Sequence, residues 1–147
     1  MAVTVKGLDK LIEKLERVGG PGALRKPMTK SVAHLHAKIA QYPPASAANS
    51  PGNGYSWYER GYGTRTRTGR GYPTSETLGR RWTHEVAANG QRGTVGNNAS
   101  YAPYVQSLAK QASFHAARGW LTDGGVVEKE SGQIVKFFND AIKELLE

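Results

Sequence analysis

Near its start the chain repeats apolar residues at helical spacing. Leu8, Leu11, Ile12, Leu15 and Val18 fall on one face with Lys and Glu between them, which predicts an amphipathic helix from about Leu8 to Val18 after a short extended stretch over Val3 to Val5. Gly19-Gly20-Pro21-Gly22 closes that helix, because glycine caps a C-terminus and proline cannot continue the hydrogen-bond ladder. A second stripe of Leu24, Met28, Val32, Leu35 and Ile39 predicts a helix from about Lys26 to Gln41. Pro27 suits it only in the first turn, where its missing N–H has no partner to lose.

Further along, the period changes from helical to alternating. Trp82, His84 and Val86 alternate with Thr83, Glu85 and Ala87, the pattern of a strand covered on one face, and Asn89-Gly90 is a strong hairpin signal with Gln91 to Asn97 as the partner strand. Ala102 to Ala112, bearing Val105, Leu108 and Ala109, reads as a short helix, and Trp120-Leu121-Thr122 as a last short strand. After Asp123, the residues Val127, Ile134, Phe138, Ile142 and Leu145 lie near one helical face, with Ser131-Gly132 a candidate interruption. Helix, helix, arm, hairpin, helix, strand, helix is the order of an α+β domain. Its expected form is an antiparallel sheet packed against an N-terminal long helix and a C-terminal helix, with the second and last helices covering the sheet.

Residues 42–73 break the pattern. Prolines, glycines, serines and threonines surround Tyr55, Trp57, Tyr58, Tyr62 and Tyr72, interleaved with Arg60, Arg65, Arg67 and Arg70, and no periodic apolar face runs through them. A loop this long in a compact domain is usually functional or disordered. Its aromatic content argues for function, since disordered linkers are aromatic-poor.

The full length of 147 residues suits one domain, 1–147, large enough to bury a core without metals or disulfides. The chain has no cysteine, which excludes disulfides, thiol catalysis and Cys-containing zinc sites and agrees with a reducing cytoplasm. Neither a signal-peptide core nor a membrane-spanning run is present in the sequence, so no membrane partner is expected. The formal charge of +8 is uneven: bases exceed acids until Leu121, and acids exceed bases after it. That asymmetry suits a nucleic-acid surface, and equally suits head-to-tail contact between copies of one subunit.

Candidate chemistry is sparse. His34 and His36, two apart on a helix, do not form the i, i+4 pair of a helical zinc site. His84 and His115, with Glu85 and nearby arginines, contain the residue types of a ribonuclease-like acid-base site, but their spacing does not support one. No phosphate-binding glycine fingerprint occurs, and no cofactor or metal is expected. The run Thr64-Arg65-Thr66-Arg67-Thr68-Gly69-Arg70 carries guanidinium groups suited to phosphate and tyrosines suited to base stacking. Arginine and tyrosine are also the types enriched at protein interfaces. A glycine-rich arm carrying both types can order on docking against a neighbour, so the arm is expected to grip protein.

An ordered set of short motifs runs from Leu78 to Trp120: Leu78-Gly79-Arg80-Arg81-Trp82-Thr83, then Val95-Gly96-Asn97-Asn98 leading into Tyr101-Ala102-Pro103-Tyr104-Val105-Gln106, then Phe114-His115 and Arg118-Gly119-Trp120-Leu121-Thr122. This set resembles the tail-completion, or head-tail joining (neck), proteins of long-tailed bacteriophages. Their middle region carries a Thr-Gly-x-Leu-Arg-like element, a strand, and a Tyr-Ala-Pro-Tyr-Val-acid motif beside the sheet. Two departures stand out. Gln106-Ser107 replaces the acid and the Phe-Gly that commonly follows it, and Ser75-Glu76-Thr77-Leu78-Gly79 replaces the usual Asp-Thr-Gly-x-Leu.

The resemblance implies a structural virion protein of the neck and tail, made in the host cytoplasm and not an enzyme. It would assemble as a homo-oligomeric ring, six copies being the natural expectation, and join the proximal tail end to the head through other neck and tail proteins, with DNA passing nearby without sequence-specific binding. Arg60, Tyr62, Arg65, Arg67, Arg70 and Tyr72 are the expected partner contacts. Arg65, Arg67 and Arg70 are expected to approach acidic surface on a neighbour, with Glu128, Glu130 and Asp140 as candidates, while Trp82, Tyr101, Tyr104 and Trp120 support the sheet. The competing class is a basic nucleic-acid-binding protein, and after it a small nuclease.

Overall fold

The computed structural model describes residues 8–20, 22–50, 56–59, 63–66, 71–72 and 77–147. Helix α1 spans Leu8–Gly19 and α2 Arg25–Ile39. Strands β1 (Ser56–Glu59), β2 (Gly63–Thr66) and β3 (Gly71–Tyr72) pair as an antiparallel meander, Trp57 opposite Arg65 and Thr64 opposite Tyr72. A single turn, α3 (Thr77–Arg80), leads into the hairpin of β4 (Trp82–Val86) and β5 (Gly93–Asn97). Two short helices, α4 (Ala102–Gln106) and α5 (Ser113–Ala117), precede the long α6 (Asp123–Leu146). The body is a single small α+β domain built on a two-stranded antiparallel sheet and a C-terminal helix.

Helix α2 holds the body together. Pro27 is its third residue and is buried, where its missing N–H costs nothing. One side of α2 rests on the hairpin and another on α6. The approach to the hairpin is close at Gly93, where an added Cβ would collide with Val32 Cγ1 and lie 2.8 Å from Met28 Sδ. Alternation along the strands places Trp82, His84 and Val86 on the same side as Gly93, Val95 and Asn97, facing α2. The last helix packs mainly along α2 and α1. Of the two helices expected to cover the sheet, α2 makes the extensive contact with it and α6 does not.

The main core lies at the other end of the hairpin, where Leu78, Ala99, Ala102, Val105 and Trp120 are buried together and Tyr42 packs against them. The rings of Tyr42 and Trp120 lie 5.1 Å apart. Residues 42–50, which the sequence pattern assigns to the arm, belong to this body. Pro43 is buried, and Asn49, 2% exposed, donates from Nδ2 to the carbonyls of Pro43 and Pro44 at 3.4 and 3.3 Å.

Several predicted elements take another form. Asn89-Gly90 does not make a two-residue type I′ turn, which needs positive φ at both central residues. Only Gly90 has it (φ 71°), so the turn widens and the Ala87 N–H bonds to the Arg92 carbonyl at 2.8 Å. The helix expected to reach Ala112 stops at Gln106, because Ser107 takes extended backbone (φ −90°, ψ 131°). Trp120-Leu121-Thr122 is not a strand. The Trp120 carbonyl accepts from the Gln111 side-chain amide at 2.9 Å, and Thr122 caps α6 by accepting from the Gly125 N–H at 3.1 Å. With that cap in place α6 runs unbroken through Ser131 and Gly132.

Ile39 is 3% exposed, so Ile39→Ala is expected to lower unfolding stability by about 2 to 5 kcal/mol in a denaturant titration. Phe138 is only half-buried, and Phe138→Ala should cost less. Gly93→Ala should destabilise by about 1 to 3 kcal/mol by overpacking α2.

Candidate functional site

The six residues picked from the sequence fall in the meander or between its strands. Arg65 lies in β2 opposite Trp57, and Tyr72 in β3 opposite Thr64. Arg60, Tyr62, Arg67 and Arg70 lie outside the described residues. Of the residues expected to support the sheet, Trp120 is 6% exposed and sits in the core. Tyr101 and Tyr104 do not cover the sheet: they are 41% and 60% exposed.

Those two tyrosines belong to a surface that the sequence pattern did not reveal. Leu108 is 72% exposed, Phe114 53% and Leu121 38%, so five large apolar side chains face solvent between residues 101 and 121. The cause is local. Because α4 ends at Gln106, Leu108 leaves the face it would have shared with Val105 and turns outward. Its N–H donates to Asp123 Oδ1 at 2.8 Å, and its side chain lies over Gly124, where an added Cβ would come within 2.9 Å of Cδ2. The Tyr104 carbonyl accepts from the Ala112 N–H at 2.8 Å, and Arg118 lies 5.6 Å from the centre of the Phe114 ring. Together they form a shelf pinned to the start of α6. Large apolar side chains exposed together in one stretch of chain are of the kind that interaction surfaces use.

Beside the shelf is a groove of about 330 Å³ between β5, α4 and the start of α6, with Trp82, Asn97, Gln106, Lys110 and Asp123 on its walls. Gln106 is 2% exposed, and its Nε2 donates to the Ile39 carbonyl at the end of α2 at 2.8 Å. A carboxylate has no proton to give there. Gln106 is thus the residue that ties α4 to α2. The Gln106 Oε1 and the Trp82 indole N–H are buried with no hydrogen-bond partner among the described residues.

The histidines and several acids have partners within the body. His34 Nε2 lies 2.6 Å from Glu130 Oε2, and that hydrogen bond, with Lys38 nearby, holds the Glu130 carboxyl below its usual range. Lys136 and Lys26 do the same for Asp140 and Glu144. Within the subunit Glu130 is thus paired with His34 and Lys38, while Asp140, its side chain 53% exposed, is paired with Lys136. His84, considered for acid-base chemistry, meets His36 at 2.7 Å between Nδ1 atoms. His36 titrates below its ordinary value through burial and the neighbouring His84. His115 packs on Phe114 and Trp120, and burial, then Arg118, lowers its pKa to about 4. Among the described residues no three His, Asp or Glu converge on a metal site, and no helix is long and apolar enough to cross a membrane.

No family model matches the chain, and neither the curated proteins nor the solved structures contain a match.

Two outcomes are expected from these contacts. Gln106→Glu should lose at least about 3 kcal/mol at neutral pH, because it buries a charge and leaves the Ile39 carbonyl unpaired. Part of that loss should return in acid as the new carboxyl protonates. For His115 the unfolded chain takes up a proton near pH 6.5 and the folded chain only near 4. The unfolded state then binds more protons in that interval, so stability should fall as pH drops from about 6.5 to about 4. Denaturant midpoints across that range should flatten in His115→Gln.

Proposed function

We propose that this chain is a structural component of the neck and tail of a long-tailed bacteriophage, made in the host cytoplasm and assembling as a ring, six copies being the natural number, that joins the proximal tail end to the head. The observation that carries the reading is the exposed shelf, on which Tyr104, Leu108 and Phe114 are all more than half exposed. A chain that leaves this much apolar surface open completes its burial in an assembly. The motif order from Leu78 to Trp120 supports the same conclusion, since the Tyr101 to Gln106 segment that resembles the neck-protein motif forms one end of the shelf. The mechanism is assembly by complementary shape and charge, without turnover.

In this reading the N-terminal helix flanks the body and the Gly/Arg/Tyr-rich arm reaches out to other neck and tail proteins. Arg60, Tyr62, Arg65, Arg67, Arg70 and Tyr72 make those contacts, while DNA passes without sequence-specific binding. The arm is expected to be protease-sensitive in the isolated subunit and protected in the assembled particle. Replacing Arg65, Arg67 and Arg70 together by serine should leave the unfolding midpoint unchanged and abolish tail joining in a complementation assay. Infectious, fully joined particles from that variant, with only DNA affinity lost, would sink the interface account of the arm and favour a nucleic-acid-binding protein, whose affinity falls steeply with salt.

A further inference from the structure

The exposed shelf continues into a stripe along α6. Gly124, Val127, Glu128, Ser131 and Val135 recur three, four, seven and eleven positions apart, which places them on one side of the helix. That side faces away from α2, since Val126, 2% exposed, Glu130, bonded to His34, and Phe137, whose ring meets His34 at 5.7 Å, lie on the other. Val127 and Val135 are 50% and 56% exposed. Leu108, over Gly124, joins the shelf to the head of the stripe.

The two halves carry opposite charge. Residues 101–121 contain Lys110 and Arg118 and no Asp or Glu. Along α6, Asp123 accepts the N–H groups of Leu108 and Gly124, Glu130 is held by His34 and Lys38, Asp140 by Lys136, and Glu144 by Lys26. Glu128 remains as the acid of that helix whose carboxylate has neither an ion pair nor a hydrogen bond among the described residues, and it lies on the outward stripe beside Val127. Lys110 likewise has none.

We propose that the α4–α5 shelf of one copy receives the outer α6 stripe of a second copy of this chain, Leu108 and Phe114 packing against Val127 and Val135, with Lys110 paired to Glu128 of the neighbour. With the shelf of each copy engaged by the stripe of the next, the contact is heterologous and runs head to tail, the arrangement that forms a ring where the rotation between copies closes. This deepens the ring reading and rests on it for closure. It leaves the arm free for the other neck and tail proteins.

The test is sedimentation velocity on the purified full chain at tens of micromolar, with circular dichroism confirming that each variant is folded. Wild type should sediment as a closed oligomer. Lys110→Glu and Glu128→Lys should each weaken association at least about tenfold, since like charges then face each other across the contact. The double variant should recover it, and so should an equimolar mixture of the two single variants, because each supplies the charge the other lacks. Leu108→Ser with Val127→Ser should be monomeric and folded. A monomeric wild type, single variants that associate normally, or a double variant and mixture that fail to recover would overturn the proposal. Charge rescue in a protein whose loss still gives fully joined particles would leave this contact standing and remove the neck reading.

Discussion

Everything described in the body depends on how closely α2 can approach its neighbours. Gly93 leaves room for Val32 and Met28 against the hairpin, and Gln106 donates to the carbonyl of Ile39 at the far end of the helix. One contact works by the absence of a side chain, the other by an amide that supplies a proton where a carboxylate has none. Between them they set the position of α4 relative to the sheet. The groove and the shelf follow from that position. Overpacking at Gly93 or a charge at position 106 would act on the whole surface through α2.

The charges divide into those used to build the body and those left over. Glu130, Asp140 and Glu144 hold carboxyl groups below their ordinary range beside His34, Lys136 and Lys26. The Lys136 and Lys26 pairs are solvent-exposed and contribute little each. Of these acids Glu130, whose side chain is 14% exposed, is the one most fully engaged inside the body. What remains outward on α6 is Glu128, flanked by valines, and what remains on the shelf is Lys110. A net charge of +8 says little about function until this division is made, because the fold consumes much of the acid that the composition counts. The same applies to the histidines: His36 and His84 face each other, and His115 is packed against aromatic rings.

Periodicity in the sequence was enough to determine α1, α2, the long α6, the hairpin and the α+β class, because each depends on which residues share a face over several turns or alternations. The Gly19 to Gly22 break and the placement of Pro27 in a first turn follow from backbone chemistry that local sequence expresses directly. Tertiary structure alone decided where short elements end. Val105, Leu108 and Ala109 fit one helical face, yet Ser107 turns extended and Leu108 locks onto Asp123, fifteen residues away in sequence and invisible to any local pattern. Trp120 to Thr122 alternates like a strand, but the Gln111 amide takes the Trp120 carbonyl and Thr122 becomes a cap. The exposed shelf therefore could not be read from the chain, since a periodic pattern records which side chains share a face and only the packed fold decides whether that face is covered.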